Sequence, residues 1–161
     1  MDARRNWIAV ASAEHVAIGR AGGFMQVCHG KAWPLRRLSA GDRVVYYSPV
    51  EVFGTRQLCR SFTAVGEVQA RAAYQVEMGP GFLPYRRDVR WWPAQRVAIS
   101  HLVNELEFSR AQRHWAASLR FGLCQISSHD MDLIIAAMAA QPCLPSPEAS
   151  SAEIQQYALP W

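Results

Sequence analysis

The apolar and polar positions break this chain into short blocks, more of them strand-like than helical. Asn6 to Ser12 is an apolar run with Ile and Val, which predicts a buried-type strand. Ala13 to Ala21 predicts a short helix closed by Gly22-Gly23. Phe24 to Cys28 reads as a strand, with His29-Gly30-Lys31 as the turn beyond it. Pro34 to Leu38 predicts one helical turn with proline at its start, and Gly41-Asp42 turns the chain into a strand over Arg43 to Tyr47. Strands are predicted over Gln57 to Ala70, Ala73 to Met78 and Tyr85 to Trp92, the last two separated by the loop Gly79 to Pro84. Short helices are predicted over Ile99 to Leu106 and Arg110 to Ser118, and a last strand over Phe121 to Ile126. Ser127 to Asp130 then caps a final helix whose Met131, Ile134, Ile135 and Met138 recur at the helical period.

Strands interleaved with short helices around a small core fit an α+β barrel better than a doubly wound sheet. No GxGxxG or GxxxxGK[ST] element follows a strand, so no dinucleotide or nucleotide triphosphate site is expected, and no cofactor. The expected domain spans 4–140, and the Pro- and Ser-rich stretch 141–161 is expected to be a flexible tail.

Composition narrows the class. At 161 residues and 50% hydrophobic content the chain suits one globular domain and excludes a disordered or fibrous protein. Cys28, Cys59, Cys124 and Cys143 form no CxxC pair, so they read as reduced thiols of a cytoplasmic protein, not a structural zinc site. Arg4-Arg5 and the Ala11-Ser12-Ala13 triplet imitate a signal peptide, but the apolar stretch between them is at the lower limit of length and reads as a strand. The longest uncharged apolar run elsewhere, Leu133 to Ala140, is far short of a membrane span. Lys+Arg 17 against Asp+Glu 13 gives a net charge of +4, and Lys31 is the only lysine. Leaving out Asp2, Glu148 and Glu153 removes three acids and no base, which raises the remainder to +7. Arginine-rich codon usage explains such an excess as well as an anionic partner does.

Three constellations could carry chemistry. On the strand Tyr85 to Trp92, alternation puts Arg86, Asp88 and Arg90 on a polar face and sets Arg87 among Tyr85, Val89 and Trp91. An inward arginine must be paired, with Glu77 as one partner, or lie at an open strand end, or be aimed at an anion. In the second, Lys31 follows Cys28-His29-Gly30, where glycine allows close approach to the backbone. Cys28-His29 invites a nucleophile or metal reading, yet neighbours on a strand point to opposite faces. The third is aromatic. Phe53 and Phe82 lie in Gly- or Pro-marked loops, where a ring could stack on an unpaired base. Ser12, His15 and Ser48, with Tyr47 beside it, stand at strand ends where polar groups could read a base edge.

Taken together, Trp7-Ile8, Glu14-His15-Val16, Gly22-Gly23-Phe24-x-Gln26-Val27-Cys28-His29-Gly30-Lys31-x-x-Pro34-Leu35, Gly41-Asp42 and Tyr46-Tyr47-Ser48-Pro49 resemble the EVE domain. Phe62-Thr63-Ala64-x-Gly66-Glu67-Val68, Tyr85-Arg86-Arg87 and Arg120-Phe121-Gly122 extend the likeness over Asn6 to Ala140. EVE domains are similar to YTH and ASCH domains of the PUA-like group, which implies a small β-barrel of five to six strands flanked by short helices. YTH relatives bind methylated adenine in RNA within an aromatic-walled pocket, so the resemblance implies a non-enzymatic reader of a modified base in DNA or RNA. By position it carries over Ser12 to His15, the Cys28-His29-Gly30-Lys31 turn and the Phe82 loop. Joined to the constellations above, base contacts are expected from Ser12, His15, Cys28, His29, Gly30, Tyr47, Ser48, Phe53 and Phe82, and phosphate contacts from Lys31, Arg86 and Arg87. The cage tryptophan of YTH domains has no counterpart at Cys28-His29, and Trp33 is the nearest. An ASCH-like hydrolase or nuclease in the same pocket is the alternative, with His15, His29, Cys28 and Lys31 as its candidate groups. A third class is an adaptor, on which the final Tyr157 to Trp161 could dock a partner.

Overall fold

In the computed structural model, residues 3–110 and 113–142 are described. The strands are β1 (Asn6–Val10), β2 (Phe24–Met25), β3 (Arg43–Val50), β4 (Leu58–Val68), β5 (Tyr74–Gln75), β6 (Tyr85–Trp91), β7 (Val97–Ala98) and β8 (Leu123–Ile126). The helices are α1 (Ala13–Gly22), α2 (Ala32–Arg36), α3 (Glu107–Arg110), α4 (Trp115–Ser118) and α5 (Ser128–Ala137). Six strands follow the order β2-β6-β4-β3-β1-β8, while β5 pairs with β6 and β7 with β4. This is the expected α+β class: a curled, mixed half-barrel carrying short helices.

Burial on both faces explains why β1 and β3 read as continuous apolar runs. Trp7 and Ala9 of β1, with Val44 and Tyr46 of β3, face one core that also holds Val16 of α1 and Leu35 of α2. Ile8, Val45 and Tyr47 point the other way, into a second core with Met131 and Ile134 of α5 and Met138 just past it. The two strands run parallel with Val10 opposite Tyr47, so β1 ends there while β3 runs on to Val50, past the stop expected at Ser48-Pro49. β3 and β4 are the long pair, and register shifts at Tyr46/Tyr47 and Ser48/Val50 bend them. The bend lets β4 pair with β7 at one end and β6 at the other, and so curls the sheet.

The edge strands β2 and β8 are not paired, yet the curl brings the chain beside them into contact. The Cys28 thiol, three residues past β2, donates to the Phe121 carbonyl just before β8 at 3.2 Å. The barrel is thus bridged at this seam by a side chain instead of a ladder.

Several predicted elements are shorter than the sequence suggests. β2 ends at Met25 because Cys28, His29 and Gly30 all take left-handed φ values of 50°, 56° and 81°. The strand expected over Ala73 to Met78 is regular only at Tyr74–Gln75, although Val76 N–H to Pro84 and Met78 N–H to Phe82 continue the hairpin irregularly. Ile99 to Leu106 is a succession of tight turns whose Ile99, Leu102 and Leu106 reach the core without a continuous helix. β7 was not legible at all, being two half-buried residues. The tail assigned to 141–161 lies, from 143 onward, outside the described residues. No described helix is long and apolar enough to cross a membrane. Cys28, Cys59 and Cys124 are free thiols.

Candidate functional site

The end of β1, the stretch of β3 beside it and the β2/β8 seam meet at one place. Ala11 N–H donates to the Tyr47 carbonyl and Val10 N–H to the Gly122 carbonyl. Glu14 N–H donates to Glu51, which leads into the loop carrying Phe53. Ser12 has extended backbone and caps α1, its hydroxyl accepting from His15 N–H at 3.3 Å. That cap fixes His15 in the first turn of α1, where its ring lies near-parallel to Phe53 with centroids 6.0 Å apart. His29 meets the same Phe53 ring edge-on at 5.9 Å. Three residues from three separate segments therefore form one aromatic cluster, and Phe53 keeps 62% of its surface in solvent.

The turn that delivers His29 is strained. Left-handed backbone costs a residue with a Cβ about 1–2 kcal/mol, and Cys28 and His29 both adopt it. The turn is held by Gly30 N–H to Val27 and by the Cys28–Phe121 bond. It is also wedged, because a Cβ at Gly30 would run into Pro84, just ahead of β6. Strain maintained by its surroundings is a mark of functional segments. Cys28 and His29 are thus not successive strand residues with opposed side chains, as the sequence suggests.

Electrostatics argue against an activated thiol. Burial pushes the Cys28 thiol up, and Lys31 offsets this in part. Burial also pulls the His15 imidazole down from 6.5; Glu14 opposes this, and His29 reinforces the lowering. A neutral imidazole carries one ring donor and one acceptor, which suits reading a base edge.

The remaining nominated residues divide sharply. Lys31 is exposed at the start of α2, beside this cluster. Phe82 is 40% exposed, at the tip of the hairpin that supplies Pro84. Tyr47 and Ser48 are enclosed: the Tyr47 ring packs edge-on against Phe62 and Trp115, and Ser48 shares a 2.8 Å bond with Thr63. Arg86 is half-buried, lying 3.9 Å over the Phe24 ring, with Nε 3.3 Å from Gln26 Oε1. Arg87 is turned inward and 6% exposed. Its partners are not Glu77 but the carbonyls of Leu38 at 3.0 Å, Gln69 at 3.2 Å and Leu35 at 3.4 Å.

Sequence reasoning did not nominate Phe121 for the site. It is 72% exposed and its carbonyl holds Cys28, a contact across 93 positions that no local pattern announces. Among the described residues four aromatics are exposed: Trp33, Phe53, Phe82 and Phe121. All four stand on segments that meet or adjoin the Cys28–Gly30 turn. Two open depressions are lined by none of His15, His29 and Phe53, though the second starts at Ala13, next to Ser12. One of about 320 Å³ borders Arg43, Trp92 and α5, and one of about 410 Å³ runs along α1 to Thr63 and Arg96. The one group of side chains spaced for a metal among the described residues, Glu107, His129 and Asp130, is also remote in sequence from this cluster.

The family model described as "EVE domain" matches residues 5–137. The chain belongs to the EVE domain family. A UPF0310 protein of Mesorhizobium japonicum is 50% identical over 86% of this chain and 94% of its own length. Another UPF0310 protein, from Bacillus subtilis, is 40% identical over 82% of this chain and 90% of its own. Among solved structures, the YTH domain of Zygosaccharomyces rouxii MRB1 protein, in complex with N6-methyladenosine RNA, aligns with a TM-score of 0.55 at 17% identity. That alignment covers 84% of this chain and 87% of the YTH domain, and it establishes a shared fold. The PUA-like, YTH-like architecture of this EVE domain is therefore as the resemblance implied.

Proposed function

We propose that this EVE domain is a non-catalytic nucleic-acid-binding module that holds one unpaired or flipped base, bearing a modification, against Phe53. The observation that carries the reading is the convergence of His15, Phe53 and His29 at a strained, solvent-facing turn. An exposed ring flanked by two imidazoles supplies a stacking face with polar edges beside it. Ser12 is only 4% exposed, so its hydroxyl acts through the α1 cap that sets His15 and does not itself reach the base. Lys31 is placed to hold a flanking phosphate, with Phe82 as a second wall. Arg86 can contribute only at the margin, and we leave Arg87 to the scaffold on the strength of its three carbonyl partners. The N6-methyladenosine RNA bound by the YTH neighbour supports the ligand class. A raised Cys28 thiol, already donating to a carbonyl, speaks for binding over nucleophilic catalysis.

The test is a titration of short single-stranded RNA and DNA, each bearing one of a panel of modified bases, at about 50 and 200 mM salt. At least one modification should bind tighter than its unmodified counterpart, with affinity falling as salt rises. Phe53→Ala should weaken that complex about 5- to 150-fold, the equivalent of roughly 1–3 kcal/mol of base stacking. Equal affinity for every base at both salt concentrations would refute the reading.

A further inference from the structure

We infer that Phe121, with Arg120 beside it, is a second stacking platform for the base adjacent to the one at Phe53, so that the ligand is a single strand and not a free nucleoside. The inference rests on the proposed single-base site and extends it along the strand. Leu119 and Leu123 on either side are buried at 7% and 3%, whereas Phe121 is 72% exposed, so the chain turns this ring outward between two anchored residues. A lone exposed phenylalanine needs no explanation. This one has its own carbonyl 3.2 Å from the Cys28 sulfur, and Cys28 adjoins His29 of the base site. The Phe121 segment therefore touches the turn that carries His29, beside the proposed base site.

Charge selects the occupant. Arg120 adjoins Phe121 in the chain and Lys31 acts on the Cys28 thiol, so a cation stands on each side of the Cys28–Phe121 contact, while Glu14 faces His15. Lys31 and Arg120 are exposed. An aromatic ring rising from such a basic surface suits a polyanion with flat bases, where stacking and phosphate attraction act together. An apolar protein partner would gain nothing from the flanking cations.

The experiment measures binding of a nine-nucleotide single-stranded RNA with a central N6-methyladenosine, of its unmodified RNA and DNA counterparts, and of the N6-methyladenosine nucleoside. Phe121→Ala should weaken all three strands at least about fivefold and leave nucleoside binding within about twofold. Phe121→Tyr should restore strand affinity, while Phe121→Leu, apolar but unable to stack, should not. Arg120→Gln should flatten the salt dependence of strand binding by about 0.7 in the log–log slope. Unchanged strand affinity in Phe121→Ala overturns the inference, as does full affinity in Phe121→Leu, or Phe121→Ala altering only self-association. Loss in Phe121→Ala with none in Phe53→Ala would instead overturn the single-base site and leave the platform standing. Thermal melting checks the fold, which an exposed ring should scarcely affect.

Discussion

Replacing Arg87 with methionine separates scaffold from ligand contact. The guanidinium reaches the Leu38 carbonyl at 3.0 Å, the Gln69 carbonyl at 3.2 Å and, weakly, the Leu35 carbonyl at 3.4 Å. Leu35 and Leu38 lie at and just past the C-terminal end of α2, where a cation is favoured, although the Leu35 carbonyl already accepts from Leu38 N–H at 3.3 Å. Gln69 follows β4, so one side chain of β6 joins three parts of the fold. Methionine keeps the stem but leaves two well-made acceptors without a donor, at about 1–3 kcal/mol each. Relief of the buried charge offsets part of this, giving a net loss of about 3 kcal/mol. For a chain of this length that corresponds to a fall in Tm of about 6–12 °C. Differential scanning calorimetry measures it, with Arg86→Met as the half-buried comparison, expected to lose about 1 kcal/mol or less. Arg87→Lys should recover little, because one ammonium cannot span three carbonyls in the geometry of a planar fork. An unchanged Tm in Arg87→Met, coupled to weaker and less salt-dependent oligonucleotide binding, would refute the scaffold role and return Arg87 to the phosphate.

Two further outcomes follow from the seam and its imidazoles. A Cβ at Gly122, where φ is 77°, would stand 2.5 Å from the Cys28 sulfur, so Gly122→Ala should destabilise the fold by more than the left-handed penalty of about 1–2 kcal/mol and weaken binding with it. In a Cys28→Ala background, which lacks the sulfur, adding Gly122→Ala should cost only about that penalty, as read by urea unfolding; a cost as large as in the unaltered protein would disprove the steric account. The folded protein holds His15 below its usual 6.5, so the unfolded chain takes up this proton first. Stability should therefore fall as pH drops through 6.5 towards the folded value, and His15→Gln should flatten that part of the pH profile; a profile equally steep in the variant would contradict the assignment.

The parts of the fold legible in the sequence are those whose patterns are local. Gly23 closes α1 with the left-handed stop that its residue type announces, whereas Ser12, read as the end of the first strand, is the side-chain cap of α1. Met131 and Ile134 of α5 and Met138 just past it reach the core at 0% exposure, as their spacing demands, while Ile135 of the same stripe is half-buried. Alternation on β6 put Arg87 inside, but only the fold shows that backbone carbonyls receive it. His15, His29 and Phe53 were nominated separately, and nothing in the sequence tells that they share a ring cluster. Tyr47 and Ser48 illustrate the converse: they were read as a strand end, but β3 continues to Val50 and keeps both side chains enclosed. A turn was expected at His29-Gly30-Lys31, but Cys28 was read as a strand end because what holds it in left-handed backbone is non-local. Gly122 and Phe121 hold the turn from one side and Pro84 from the other.

The central claim concerns where a base is held. Amide chemical-shift mapping with a single-stranded oligonucleotide that binds the protein tests this most directly. The account predicts saturating shifts centred on Ser12, His15, Cys28–Gly30 and Phe53, and their loss in Phe53→Ala. Shifts centred instead on the depression between Arg43 and α5, with Cys28–Gly30 unmoved, would contradict it.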